Sequence, residues 1–165
     1  MQLPETIQFD DERAREAFEK GYQLQINGDV EGAERHYRES LEYESTAEGH
    51  TFLGWALSQR NQFDEAIEQC KKAIDIDPDF GNPYNDIGVY LLEQGEMDQA
   101  RPWFNMALDA PRYESYCFPH FNLGRIHLMR GHFNEASRHF RLALEEREDF
   151  EKARKALHRI KSRLN

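Results

Sequence analysis

The chain has 165 residues, 39% of them apolar and 32% charged, with a formal net charge of −10, which is length and apolar content enough for one folded domain. The acidic balance excludes a general nucleic-acid binder, which needs a basic stripe to displace counterions, and the two cysteines, Cys70 and Cys117, exclude a disulfide scaffold and point to a reducing compartment. No apolar run reaches bilayer-spanning length, and Met1–Glu5 lacks the basic and apolar stretches of a signal peptide, so the expected location is cytoplasmic without membrane insertion.

Residues 1–13 fit no periodic pattern and are expected to be extended or disordered up to about Asp10, although Leu3, Ile7 and Phe9 are apolar positions that a solvated tail does not need. From Ala14 onward four copies follow one another. Their glycines, Gly21, Gly54, Gly88 and Gly124, are spaced by 33, 34 and 36 residues. Twelve residues after each comes an alanine (Ala33, Ala66, Ala100, Ala136), then a bulkier residue (Tyr37, Cys70, Phe104, Phe140), then a small one (Ser40, Ala73, Ala107, Ala143). The pattern predicts a pair of antiparallel helices per copy. Small residues would let the two helices approach, and the bulky residue would fill the space toward the next pair. Turns are predicted at Asn27-Gly28-Asp29, Asn61-Gln62-Phe63, Gln94-Gly95-Glu96 and Arg130-Gly131-His132, where glycine suits a left-handed position and Asp29 an N-cap. Pro78 and Pro111 fall between copies, where a helix should stop. Residues 151–165 hold six Lys or Arg against Glu151 alone, a net of about +5 that leaves about −15 on the first 150 residues. Ala153, Ala156, Leu157, Ile160 and Leu164 continue the helical phase there, which fits a capping helix.

These residues resemble the tetratricopeptide-repeat family, whose period is about 34 residues. The second copy carries the resemblance best, with Leu53, Gly54, Leu57, Ala66, Ala73 and Pro78 in register. The likeness implies an all-α, right-handed superhelical solenoid with a repeat region at 14–150 (copies 14–47, 47–80, 81–114 and 117–150) and a cap at 151–165. Ser115-Tyr116 is an insertion before the last copy. Lys20, where the family prefers leucine, and Pro102, early in a second helix, depart from the pattern. Pro102 is expected in a first turn, where its missing amide costs nothing.

The family binds polypeptides on the concave face formed by the first helix of each pair. Carried over position by position, that face would hold Phe18 and Tyr22; Thr51, Phe52 and Trp55; Asn82, Asn85, Asp86 and Val89; Phe118, Phe121, Asn122 and Arg125; and Lys155 and Arg159 from the cap. Aromatics and arginine dominate interface energetics, asparagine can satisfy a peptide backbone from both ends of its amide, and Arg125 can hold a carboxylate. A basic ligand end would meet Glu19, Glu48 and Asp86. The competing reading is that the rings complete the core. The family's clamp on chaperone C-terminal carboxylates needs Lys, Asn, Asn, Lys and Arg at five groove positions. The first three copies put Phe18, Tyr22, Phe52, Asn82 and Asp86 there, and the last three Thr51, Trp55, Asp86, Phe118 and Asn122, so that activity is not expected.

No cofactor or metal is expected. His120 and His127, like His132 and His139, are seven apart, too loose on one helix for a compact site. Cys70 reads as a buried thiol. Cys117 opens a helix, which can lower a thiol pKa, but it has no partner base. There is no nucleotide loop, GxSxG elbow or HExxH. The expected function is therefore a non-enzymatic adaptor for a protein or peptide partner. A self-assembling scaffold, a homo-oligomer built through the segment Leu3–Phe9 or through head-to-tail charge, is the second expectation, and a secretion-type chaperone the third.

Overall fold

The computed structural model describes residues 7–164. Nine helices run through them: α1 (Glu12–Ile26), α2 (Val30–Tyr43), α3 (Ala47–Gln59), α4 (Phe63–Ile76), α5 (Asn82–Glu93), α6 (Met97–Asp109), α7 (Cys117–Met129), α8 (Phe133–Glu146) and α9 (Glu151–Leu164). Each odd-numbered helix from α1 to α7 packs mainly on its successor, each pair packs on the next, and α1, α3, α5 and α7 also touch one another in turn. The result is an all-α helical repeat solenoid.

The sequence period has a steric origin. A Cβ built on Gly88 would lie 2.6 Å from the Phe104 ring, and one on Gly124 2.6 Å from the Phe140 ring. The ring of the second helix therefore lies directly against bare backbone of the first. At Gly54 the neighbours are the Ala66 carbonyl oxygen (3.1 Å) and Cys70 Sγ (3.2 Å). Phe104 and Phe140 are fully buried, as is Tyr37 in the first pair, and burying each such side chain is worth about 1.5–3 kcal/mol. Phe104 also meets Leu123 and Ile126 of the following pair, so one ring closes its own pair and joins it to the next.

The turns obey the same logic. Gly28, Gly95 and Gly131 have positive φ, and at the fourth equivalent place Asn61 adopts φ 60°, the left-handed well that asparagine tolerates best after glycine. Asp29 caps α2 by accepting from the Gly32 amide (2.9 Å), and Thr46 caps α3 through Gly49 (3.0 Å). Pro83 and Pro119 sit in the first turns of α5 and α7. Pro102 does not. It lies in the second turn of α6, past the unpaired amides, so the expectation of a first-turn proline is corrected: the carbonyl of Asp98, four residues back, loses its helical donor. Both residues are exposed, which lets water take that carbonyl.

Two connectors are strapped together. Gly81 N donates to Arg112 O (3.1 Å) and Arg112 N to Asp79 O (2.9 Å). The Arg112 guanidinium lies over the Phe80 ring, 4.3 Å away, and pairs with Glu48 and Asp77. At the ends, Ile7 and Phe9 pack on the first core, Phe9 against Phe18 at 5.2 Å, and the amides of Asp10 and Asp11 donate to Glu44 Oε2. Leu3–Thr6, the rest of the proposed N-terminal segment, lie outside the described residues, as does the Leu164 side chain. Ala153, Ala156, Leu157 and Ile160 of α9 close the last core.

The histidines meet between helices rather than along them. His139 of α8 stacks on His127 of α7 (5.4 Å, 11°) and lies 5.6 Å from His120; His132 is 5.9 Å from His127. The Nδ1 atoms of His120, His127 and His139 are buried without a hydrogen-bond partner among the described residues, and no group of three metal-ligating side chains occurs there. Burial first, and then the His120 charge, hold His139 down to about 4; burial lowers His120 and His127 also.

Three predictions follow from this packing. Gly88→Ala should cost ~1–3 kcal/mol by forcing Phe104 outward, read as a fall in Tm of about 2–4 °C per kcal/mol. Pro102→Ala restores a donor and should raise Tm; no gain would show that α6 has adapted to the proline. Because the ladder histidines are neutral when folded but protonate below about pH 6.5 when unfolded, stability should fall as pH drops from about 6.5 toward the lowered folded values. Urea titrations of wild type and His139→Phe across that window check this, and the variant should lose less.

Candidate functional site

The facing surfaces of α1, α3, α5 and α7, closed at one side by the connector before α7, enclose a cleft of about 440 Å³. Its walls are Tyr22 from α1; Thr51, Phe52 and Trp55 from α3; Asn82, Asn85 and Asp86 from α5; Tyr113 and Ser115 from the connector; and Phe118 from α7. Trp55 (37% exposed) and Phe118 (36%) remain open, although both are large and apolar. Phe52 touches Trp55 and Tyr22 edge-on, each at 5.9 Å. Thr51 is buried and donates to the Ala47 carbonyl (2.8 Å), so its hydroxyl proton is already engaged.

Of the residues expected on the concave face, Tyr22, Thr51, Phe52, Trp55, Asn82, Asn85, Asp86 and Phe118 come together here. The others do not. Phe18 is enclosed by Phe9, Tyr37 and Phe52, at 5.0–5.4 Å, and is part of the core. Val89 is wedged between two core clusters. Phe121 packs on Phe140 (5.6 Å) and Phe150 (5.1 Å). Asn122 is buried and accepts from Arg125 Nη1 (3.2 Å), whose Nη2 lies 3.8 Å from Glu93, so the arginine expected to take a ligand carboxylate has partners of its own. Lys155 faces Glu151 (3.6 Å), and Arg159 borders a separate hollow with Leu128, Ile160 and Ser162. Tyr113 and Ser115 were not anticipated. They belong to the connector lengthened by the Ser115-Tyr116 insertion, and the insertion was the only signal for them. The Tyr113 side chain packs against the backbone of Gly81, where a Cβ would lie 2.4 Å from Tyr113 Cβ and 2.5 Å from the ring's Cγ, and its ring is edge-on to Tyr116 at 5.5 Å.

The polar chemistry of the cleft is concentrated on α5. Asn85 Nδ2 donates to Asp86 Oδ1 (3.3 Å). Asn85 is 8% exposed, and its Oδ1 has no partner among the described residues. Burial pushes the Asp86 carboxyl up to about 7, against the weaker opposing pull of the Asn85 bond. Both cysteines are buried and free, and burial raises both thiols, so the helix-start position of Cys117 does not activate it.

Comparison with known proteins agrees with this architecture. Tetratricopeptide repeat models match residues 47–80 and 122–149. The mitochondrial import receptor subunit TOM70 of Rattus norvegicus is 25% identical over 130 residues, 77% of this chain but only 21% of the receptor; the chain spans about a fifth or less of the length of the first curated relatives it matches. The structure of Pseudomonas aeruginosa pilF superposes with a TM-score of 0.85 at 21% identity, covering 93% of this chain and 69% of that one. The first repeat domain of Spaghetti (RPAP3), bound to the HSP90 peptide SRMEEVD, superposes with a TM-score of 0.65 at 21% identity, covering 72% and 92%. No described helix is long and apolar enough to cross a membrane. With its repeated helix pairs and these matches, the chain belongs to the tetratricopeptide-repeat family of protein-interaction modules.

Proposed function

We propose that the chain is a non-enzymatic adaptor that holds a segment of a partner protein in the cleft between α1, α3, α5 and α7. One observation carries this reading: Trp55 and Phe118 stand open on opposite sides of a 440 Å³ hollow that their own helices leave unfilled. Large apolar side chains that stay exposed around a concavity mark interaction sites more often than isolated exposed residues do. The fold supports the same reading, since stacked helix pairs present an extended concave surface. The mode differs from that of RPAP3 with its acidic peptide: the five clamp positions here hold Phe18, Tyr22, Phe52, Asn82 and Asp86, with no cation among them.

The test is retention of partner from source lysate, followed by affinity measurement on the protein recovered. Trp55→Ala and Phe118→Ala remove open rings and should leave helical circular dichroism unchanged. Each should weaken binding by about 1–2 kcal/mol or more, about five- to thirtyfold. Phe121→Ala and Asn122→Ala are poor probes, because both residues are packed. Retention equal to wild type in both ring variants would place binding on another face.

A further inference from the structure

Three features of the cleft point to one ligand chemistry. First, two neighbouring groups on α5 are acceptors: the half-buried Asp86 carboxylate, whose one hydrogen-bond partner among the described residues is the Asn85 amide, and the buried Asn85 Oδ1, which has none there. A buried acceptor without a donor costs free energy that an incoming donor recovers. Second, no cation of the described chain pairs with Asp86. The other acids expected to receive a basic ligand have partners, Glu48 in Arg112 (3.0 Å) and Glu19 in Arg15 (3.8 Å). The titratable groups that face Asp86 are Cys70, Tyr90 and Tyr113, each pushed up by burial and therefore neutral. Third, the walls are aromatic: Tyr22, Phe52, Trp55, Tyr113 and Phe118. Aromatic faces attract cations and cover the apolar stem of a long basic side chain. Phe118 shows the affinity already, since the Arg147 guanidinium lies 5.0 Å from its ring.

We infer that the cleft is a receptor for a lysine or arginine side chain of the partner segment, its cationic head held between Asp86 and Asn85 Oδ1 and its stem between Trp55 and Phe118. This rests on the groove reading and names the ligand class of that site. The acidic body, about −15 over residues 1–150, favours the approach of a basic segment at long range.

The probe is butylguanidinium, with butylurea as its neutral counterpart, added to the 165-residue chain at about pH 8, where the Asp86 carboxyl is ionised. The readouts are the Trp55 indole N–H and the Asn85 side-chain amide in nitrogen–proton correlation spectra. Asp86→Asn serves as the variant; it removes a charge that burial already disfavours, so folding is not put at risk. Saturable shifts of both signals with butylguanidinium, at least about tenfold weaker in Asp86→Asn and absent with butylurea, are expected. Equal responses to the two probes, or a response indifferent to Asp86→Asn, would overturn the inference. If partner binding still fell in Trp55→Ala, the groove reading would stand without it; guanidinium binding with partner retention unchanged in Trp55→Ala would sink the groove reading instead. Self-association of wild type in sedimentation, lost in Asp86→Asn, would overturn the choice of occupant in favour of the basic α9 of a second copy.

Discussion

The structure depends on the contact between an aromatic ring on the second helix of a pair and the bare backbone of a glycine on the first. Phe104 on Gly88 and Phe140 on Gly124 bring the helices closer than any side chain at the glycine would permit. The same ring reaches the following pair, as Phe104 does at Leu123 and Ile126. Where the ring is replaced by Cys70, opposite Gly54, the Ala66 carbonyl and the sulfur make the contact, as the Ala33 carbonyl and the Tyr37 ring do at Gly21. The concave face is the by-product: helices pinned together by glycine contacts turn the side chains that packing leaves over, Trp55 and Phe118 among them, toward a common hollow.

That division explains what was legible in the sequence. A constraint repeated four times leaves four copies of its signature, so the glycine, alanine and ring positions announced the helix pairs, and the left-handed glycines announced the turns between them. Asn61 fitted because asparagine is the other residue that enters that well at small cost. The cleft was legible only in part, because its outline depends on features that occur once. Phe18 occupies a groove position, but Phe9 from the preceding segment covers it. Phe121 and Asn122 occupy groove positions of the last repeat, where Phe150 and Arg125 claim them. Tyr113 and Ser115 belong to no repeated position at all. The histidine ladder escaped for a different reason: spacing along one helix describes that helix, whereas His127 and His139 meet across two.

The inserted connector between α6 and α7 does more than lengthen a loop. It carries Arg112, strapped by backbone bonds and charge pairs to the connector one repeat earlier, and Tyr113, laid on Gly81. Site and scaffold therefore share residues there: the side chain that packs one connector on another also walls the cleft.

In a stack whose units touch only their neighbours, the junction with the least shared surface is where the stack comes apart. Here the α6–α7 junction makes the sparsest contact of any consecutive helix pair, and the cleft straddles it, with Trp55 and Asp86 on one bank and Phe118 on the other. A ligand gripping both banks is thus a brace across a mechanical seam. On the proposed reading, occupancy of the hollow and cohesion of the two halves of the solenoid would be one linked equilibrium, the ligand holding together the two units that share the least contact.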